Sequence, residues 1–549
     1  MQYEQTSFGG GMNQLAVDTA LAEDEYRLLI NARQRFGEVV PVQQSELQTG
    51  LPAGNFQGGI GVGNVTLAFV SGLAYYQIDG TTNWQKIANF LMDTVADRLW
   101  AIAVPKSTQN YVRLRGASIN QPIVLNTDFT VAGNPAGILV QDGINQAWLI
   151  QFNAVSQTFV ARVTKTFAQW TNVSASANDR EYVPVGRQMF FLNQKLYTVA
   201  PDRKSLYQSV TGRPLDFMLN VTSDGNKLGA ESVGGAVSVS FAFDSNEITC
   251  VKTTNTPDSF IYATARHVRV IQLDYTNTIF GEPTYRQAAI VEAGVTNQES
   301  LVDVLGDATF VDNDGIKSFN AVETLMVEGR NSIFSLQIAA LLTGHLQEET
   351  AAVSYDNYSL FYCRTVLGQA IAVYDTLLEK WVGLDITEVT GIKQFFVVAT
   401  GQVSKLYAVC GDSLYLMYVL DDREVAQMHT KSLLAGNMRL EHKGQSLQPI
   451  FRGCTQDGTL RAIEFVDEQR SASESRTMTE SVMAMIWPLQ FPFIFSSKPN
   501  MINNNLVFNE GYVGKKISYI VTWDTDAALR GLHIITSDHE GDAASRQTN

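Results

Sequence analysis

Seven stretches of this chain repeat one local pattern: a run of Val, Ile, Leu, Phe and Tyr, a polar turn, and a second such run. They are GLAYYQIDGTTNWQKI (72–87), QMFFLNQKLYTVA (188–200), SFIYATARHVRVIQL (259–273), ATFVDNDGIKSF (308–319), SLFYCRTVLGQAIAVYDTLLEKWVGL (359–384), KLYAVCGDSLYLMYVL (405–420) and, more weakly, IFRGCTQDGTLRAIEFV (450–466). Short β-branched and aromatic runs separated by Gly, Asp and Asn predict strands joined by turns. The fold class is therefore mainly β. The copies recur irregularly, roughly every 40–70 residues, which is unlike a WD or kelch array. A divergent β-propeller-like core with four-stranded blades fits this rhythm, because radial repetition protects most strand edges. Separate sandwich or barrel domains fit almost equally well.

A chain of 549 residues exceeds one small core. Three parts are expected: an N-terminal arm and helix over 1–60 serving assembly contacts, the propeller-like core over 61–430, and a C-terminal β domain over 431–549. Within the last part, SASESRTMTES (471–481) reads as a polar linker, and GDAASRQTN (541–549) as a mobile tail. Helical signal is confined to three places. Residues 15–37 carry capping candidates Asp18 and Thr19, early acids Glu23 and Glu25, apolar Tyr26, Leu29 and Ile30, and a stop at Gly37. The spacing also allows helices over 85–99 and 331–342.

The net charge of −15 argues against gripping phosphates, which takes clustered Lys and Arg. It suits a surface that nucleic acid passes without binding, since like charges repel. Acid is densest from Glu282 to Asp356, with twelve Asp/Glu against three Lys/Arg. Cys250, Cys363, Cys410 and Cys454 lie far apart without a CxxC pair, so they are expected to be reduced and mostly buried in strands. The N-terminus lacks a signal-peptide pattern, and no run of about 20 apolar residues predicts a membrane span. IWPLQFPFIF (486–495), broken by Pro488 and Pro492, reads as a packed edge or interface loop. The chain reads as soluble, without stable membrane insertion, and made in a reducing cytoplasm.

Catalytic and metal patterns fail when tested. In FVDNDGIKSF (310–319), setting Gly315 as the sixth position of a calcium loop puts Asp312 and Asp314 at the third and fifth. Phe310 then falls at the first and Ala321 at the twelfth, and neither binds calcium. An Asp-Gly hairpin explains the stretch better. GNFQGGIGVGN (54–64) has neither the GxxxxGK[ST] nor the GxGxxG order and reads as a flexible connection. His267, His345, His429, His442, His533 and His539 are scattered, with no HExxH and no GxSxG elbow anywhere. No repeated SxDxGxxW turn marks a sialidase-type propeller. Arg203–Lys204 and Arg266/Arg269 are the visible basic pairs and read as solvated charges; the glycosylation patterns at Asn172 and Asn220 carry little weight. No catalytic, metal or cofactor site is expected.

Two stretches carry a family resemblance. The opening FGGGMNQL…AEDEYRLLINARQRFG, with Phe8, Gly9, Gly10, Asn31, Arg33, Arg35 and Gly37, resembles the start of several tailed-phage structural proteins. The run from 188 to 220, with Ser209, Gly212, Pro214, Asp216 and Phe217, resembles the tail nozzle or tail tubular protein B family of short-tailed phages and the related packaged-DNA stabilisation proteins. AVYDTLLEKWVGL (372–384) is similar to a further phrase of those proteins. No match covers the chain beyond about 430. The resemblance implies a virion tail protein, synthesised in the host cytoplasm, that forms a ring, usually hexameric, below the portal and adaptor. Its partners would be identical subunits, tail adaptor or tube proteins, tail fibres or spikes, and genomic DNA passing through the lumen without sequence-specific binding. The N-terminal segment and 486–495 are candidate ring contacts. Two rivals stand beside it: a receptor-binding or fibre-attachment protein of the same virion, and a propeller glycosidase, which needs two carboxylates in one pocket.

Overall fold

The protein is mainly β, built of many antiparallel sheets. The computed structural model describes residues 2–16, 20–35, 37–105, 110–112, 118–122, 135–153, 158–164, 182–209, 214–217, 237–240, 246–254, 256–274, 284–312, 315–319, 334–342, 350–400, 403–434, 440–452, 454, 456–478, 501–503, 506–508 and 513–540. Gly212, Asn172, Asn220, the apolar stretch 486–495 and the tail 541–549 lie outside them.

Among the described residues between 46 and 416, seven sheets of three or four strands follow one another, each mainly a meander of neighbours in sequence, and Asn110–Val112 pairs with Ser118–Pro122 in a separate two-stranded ribbon. Sheet 1 contains Phe56–Val62, Val65–Val70, Leu73–Ile78 and Gln85–Lys86. Sheet 2 contains Trp100–Pro105, Pro135–Gln141, Trp148–Asn153 and Thr158–Val163, and sheet 3 contains Met189–Leu192, Lys195–Val199, Ser205–Gln208 and Val237–Ser240. Sheet 4 is formed by Ile248–Thr253, Ser259–Thr264, Val268–Asp274 and Thr284–Val291, and sheet 5 by Leu301–Val304, Asp307–Asp312 and Gly315–Ser318. Sheet 6 has Ala351–Tyr355, Tyr358–Thr365, Gly368–Asp375 and Lys380–Asp385. Sheet 7 has Gln394–Thr400, Val403–Val409 and Leu414–Leu416, and its outer strand is supplied from the other end of the chain: Glu46–Leu47 pairs with Tyr415 and Leu416.

Each sheet packs on the next through a buried apolar cluster. Phe69 and Phe90 meet Ile150 and Phe159 between sheets 1 and 2; Leu149 and Leu196 share a cluster between 2 and 3, and Tyr197 and Phe260 between 3 and 4. Ile261 and Phe310 join sheets 4 and 5; Val311 and Phe361 join 5 and 6; Leu360 and Leu406 join 6 and 7. Val70 and Val398 then join sheet 7 back to sheet 1. Part-buried side-chain amides add hydrogen bonds across the same junctions. Gln188 donates to Thr249 O at 3.3 Å, Gln298 to Val251 O at 2.7 Å, and Gln394 to Gly59 O at 3.0 Å.

The remaining strands come from both chain ends. Gln2–Gln5, Ala32–Arg35 and Glu38–Pro41 share a seven-stranded sheet with Leu440–Arg452, Met501–Asn503, Leu506–Val507 and Ala528–Glu540. Leu28–Ile30, Ala426–His429, Leu433–Leu434, Lys516–Trp523, Gly458–Val466 and Gln469–Met478 extend sheet 6 into a ten-stranded sheet. The facing surfaces of these two sheets bury one core that includes Phe8, Tyr26, Phe451, Tyr519 and Trp523.

Several expectations are corrected. No helix forms over the described part of 15–37: Glu25–Tyr26, Leu28–Ile30 and Ala32–Arg35 are strands. Their backbone groups find partners near Gly11, Leu384, His429 and Val40, so long-range pairing overrides a weak local periodicity. Asn31, at φ 54°, bends the chain between two of these strands, a conformation helices do not contain. In 85–99, Gln85–Lys86 is a strand and the rest is loop, fixed by Gln57 donating to Asp93 O and Ala96 O at 2.7 and 2.6 Å. The described part of 331–342 contributes one short 3-10 turn, Leu336–Leu341.

The Gly-rich 54–64 is no flexible connection. It holds the first strand of sheet 1, and its glycines admit sheet 7. A Cβ on Gly61 would lie 2.4 Å from Val397 O, and one on Gly59 the same distance from the Phe396 ring. The expected linker at 471–481 is, in its described part, most of the edge strand Gln469–Met478, paired along Gly458–Val466. The two runs of 450–466 form no hairpin; they end up in different sheets. FVDNDGIKSF is the expected hairpin, with Asp312 paired to Gly315 across the tip. Asn313 and Asp314 lie outside the described residues.

Candidate functional site

Two of the residues that carried the resemblance at the N-terminus, Asn31 and Arg33, meet the end of the 372–384 phrase. Arg33 and Asp385 are both buried, and the guanidinium forks onto the carboxylate, Nη1 to Oδ1 and Nη2 to Oδ2. The Tyr418 hydroxyl donates to Asp385 Oδ2 at 2.6 Å. The guanidinium carbon sits 5.5 Å from the Tyr358 ring centre and 5.4 Å from that of Tyr418. Planar aromatic faces on a bidentate pair are the setting Arg fits and Lys does not.

Asn31 anchors the same spot. Its backbone N–H donates to Leu384 O at 2.9 Å, its Oδ1 accepts from Ile386 N at 2.7 Å, and its Nδ2 donates to Val425 O at 3.3 Å. The buried Tyr26 hydroxyl donates to Val382 O at 2.8 Å. Trp381 of the same phrase donates from Nε1 to Phe334 O at 3.2 Å. The N-terminal strap, residues 25–41, is thus fastened to sheet 6 by the buried side chains of Tyr26 and Arg33 and by Asn31.

Electrostatics follow from this burial. Desolvation works against the Arg33 charge, but the Asp385 carboxylate outweighs it and holds the guanidinium proton more firmly than usual. Burial, then Asp385, pushes the Tyr418 hydroxyl well above its ordinary range. Glu424 is also raised, first by burial, then by Glu388 and Asp385.

Beside the clamp, a cleft of about 160 Å³ is lined by Arg33, Arg35, Tyr355, Tyr358, Tyr418 and Arg423. A larger one of about 570 Å³ shares Arg35, Asp356 and Tyr358 with it and adds Asp375 and Leu377. Asp356 and Asp375 are two carboxylates in one cleft. Asp375 Oδ1, however, accepts from Leu377 N at 2.8 Å and Leu378 N at 3.0 Å, the task of a turn cap.

The other singled-out residues have structural places. Phe8 is in the core; Gly10 leaves no room, since a Cβ would lie 2.7 Å from the Asp24 carbonyl carbon; Gly37, at φ 81°, turns the Ala32–Arg35/Glu38–Pro41 hairpin. Ser209 Oγ accepts from Leu196 N at 2.8 Å, while Leu215 and Phe217 fill the core between sheets 2 and 3. Asp312, first considered as a calcium ligand, pairs with Lys317 and accepts from Gly294 N at 3.3 Å. Arg203 pairs with Glu247 at 2.9 Å on the exposed surface; Arg269 is buried rather than solvated. All four cysteines are buried free thiols; Cys250 and Cys363 lie in strands, and Cys410 and Cys454 lie just outside them. Among the described residues, no cluster of three metal-ligating side chains occurs and no helix is long and apolar enough to cross a membrane.

Asp385, Tyr358 and Tyr418 were not legible as site residues. Each lies hundreds of residues from Arg33 or belongs to an ordinary strand phrase, so no local spacing marks them. Comparison with protein-family models gives no match, and no curated protein matches the sequence.

Proposed function

We propose that this chain is a non-enzymatic structural protein of a tailed-phage virion. It forms a ring, hexameric in our reading, in the tail nozzle or hub, and retains and then conducts the DNA genome. The subunit core is a seven-bladed propeller, sheets 1–7, whose last blade is completed by Glu46–Leu47. What supports this core is the cyclic series of seven apolar clusters in which sheet 7 packs on sheet 1. The N-terminal strap and the strands beyond Ala426 make a second, sandwich-like body for assembly contacts.

The observation that carries the family reading is the meeting of Asn31 and Arg33 with Leu384, Asp385 and Ile386, since it joins two separate resembling phrases into one structural unit. Charge fits as well: a lumen walled by a chain of net charge −15 gives DNA no row of cations to adhere to. DNA does not take the axis of a single propeller. Support for this comes from Arg98, leading into the first strand of sheet 2, which forms an ion pair with Glu299, just before sheet 5, a contact between non-adjacent blades that in a propeller falls toward the centre. The conduit lies between subunits, around the ring axis.

Electron microscopy of the purified recombinant protein tests this. Six-fold rings with an open axis are expected. Trimers overturn it in favour of a receptor-binding or fibre-attachment protein. Hydrolysis of host polysaccharide, lost in an Asp356→Asn variant, overturns it in favour of a glycosidase.

A further inference from the structure

We propose that neighbouring loop tips at one end of sheets 5, 6 and 7 form a docking surface for another protein, one whose contact face carries aliphatic recesses edged by Lys and Arg. The proposal does not depend on the ring reading. Hydrogen bonds bring the tips together. Ser354 Oγ, near the end of the first strand of sheet 6, donates to Asp303 O in sheet 5 at 2.7 Å, and the Tyr355 hydroxyl donates to Ser404 O in sheet 7 at 2.9 Å. Thr376 N donates to Asn357 O at 2.8 Å, which sets the 376–379 loop of sheet 6 at the same end.

From these tips Leu305, Leu377 and Val403 stand 62%, 73% and 62% exposed. The turns joining the first and second strands of sheets 1, 3 and 4 instead carry Gly63 and Asn64, Asn193 and Gln194, and Asp258, the polar residues that turns ordinarily use. Turn chemistry argues against Leu305. It sits at φ 54° with Gly306 at 88°, a pair of positions suited to Asn-Gly, and it is the one aliphatic among the described non-glycine residues of positive φ. That conformation is unfavourable for a leucine, and a side chain so exposed gains no core packing to offset it. Strain kept without a folding benefit points to a contact made outside the subunit.

The partner's chemistry follows from the surroundings of the leucines. Leu305 lies between Asp303 and Asp307, and Leu377 between Asp375 and Glu379, so each has a carboxylate two residues away on either side. Asp356 turns the intervening tip of sheet 6. Against these five acids stand Arg35, Lys252 and Lys380, while Lys405 is paired with Asp79. The surplus is negative, so apolar knobs with an acidic rim fit apolar recesses with a basic rim. A second copy of a chain of net charge −15, or an anionic bilayer, meets repulsion from the same rim. The tips are also held in advance. Asp303 Oδ1 accepts from Gly306 N at 2.9 Å, and Asp375 Oδ1 accepts from Leu377 N and Leu378 N, which lowers the ordering cost of binding.

The test uses the full chain and a short fluorescent amphipathic peptide of Leu and Lys, with a Ser/Lys peptide of equal charge as control. Wild type is expected to bind the Leu/Lys peptide the more tightly, and less so as salt is raised. Leu305→Asn together with Leu377→Ser is expected to weaken that binding about tenfold or more, from the apolar contact removed. Leu305→Asn alone should melt no lower than wild type, because Asn tolerates positive φ, so weaker binding is separated from weaker folding. Val95→Ser with Ile144→Ser, at exposed positions in the loops beside sheet 2, should leave binding unchanged. Equal binding by wild type and the tip variant, or equal binding of the two peptides, overturns the proposal. Flotation with neutral phosphatidylcholine vesicles that the tip variant loses would overturn it in favour of a membrane surface. Self-association that the tip variant loses would overturn it in favour of a second copy.

Discussion

Arg33 and Asp385 stand 352 positions apart in the chain and form a buried, two-pronged ion pair closed over by Tyr358 and Tyr418. One partner lies on the N-terminal strap, the other at the end of the last strand of sheet 6. The pair therefore welds the sandwich-like body to the seven-sheet core.

Removing one member of this pair strands the other. Arg33→Met leaves Asp385 buried with only the Tyr418 hydroxyl, and a loss of about 3–5 kcal/mol is expected in denaturant unfolding. The double variant Arg33→Met/Asp385→Leu should recover a large part of that loss, because no buried charge remains. Equal instability of single and double variants would show that the clamp acts through shape rather than charge.

His429 is expected to make folding sensitive to acid. Burial lowers its pKa from 6.5 to about 4, so the folded state favours the neutral ring, whose Nε2 contacts the Gln427 side chain. Its contribution is fully present above pH 6.5 and is lost as pH falls toward 4. By linkage this amounts to roughly 3 kcal/mol across the window. Unfolding free energy measured from pH 7.5 to 4 should fall less steeply in His429→Gln than in wild type.

Glu464 has the opposite sign. It is fully buried between the two sheets of the sandwich, Tyr519 Oη lies 3.2 Å from its Oε1, and burial raises its pKa above the ordinary 4.5. The folded state thus favours the protonated acid, and stability falls as pH rises from about 4.5 through the raised value. Glu464→Gln keeps the hydrogen-bonding shape without the titration. Its stability relative to wild type should increase with pH, which paired melts at pH 5 and pH 8.5 would read.

Gly61 sets the seam between sheets 1 and 7. Adding a methyl places a carbon 2.4 Å from Val397 O and 2.9 Å from the Val398 Cα, both backbone atoms that cannot swing away. Gly61→Ala should cost about 1–3 kcal/mol, as overpacking does. Gly80→Ala is the control for a crowding effect: at φ 82° it carries backbone strain but has nothing within 4 Å of an added Cβ.

The four thiols are shielded. Burial pushes Cys250, Cys363 and Cys410 up to about 12, so thiolate is scarce at neutral pH. A thiol reagent should leave the native protein essentially unmodified and titrate four groups after denaturation.

The sequence by itself determined the strands and most hairpins. Alternating runs such as 188–200 carry their own period, and their turns carry their own chemistry: Asn193 and Gln194, at φ 50° and 61°, close one hairpin, while Asp312 and Gly315 close FVDNDGIKSF. These are local properties, and local residues encode them. The tertiary structure decided everything that depends on partners far away. Residues 15–37 read as a helix because apolar spacing is blind to the strands that capture them. The glycines of 54–64 read as slack because nothing nearby in sequence reveals Phe396 and Val397 pressed against them. Arg33 was visible as a residue but not as half of an ion pair. A β fold takes its backbone hydrogen bonds from distant segments, so the energies that choose register, closure and clamp are absent from any window of sequence.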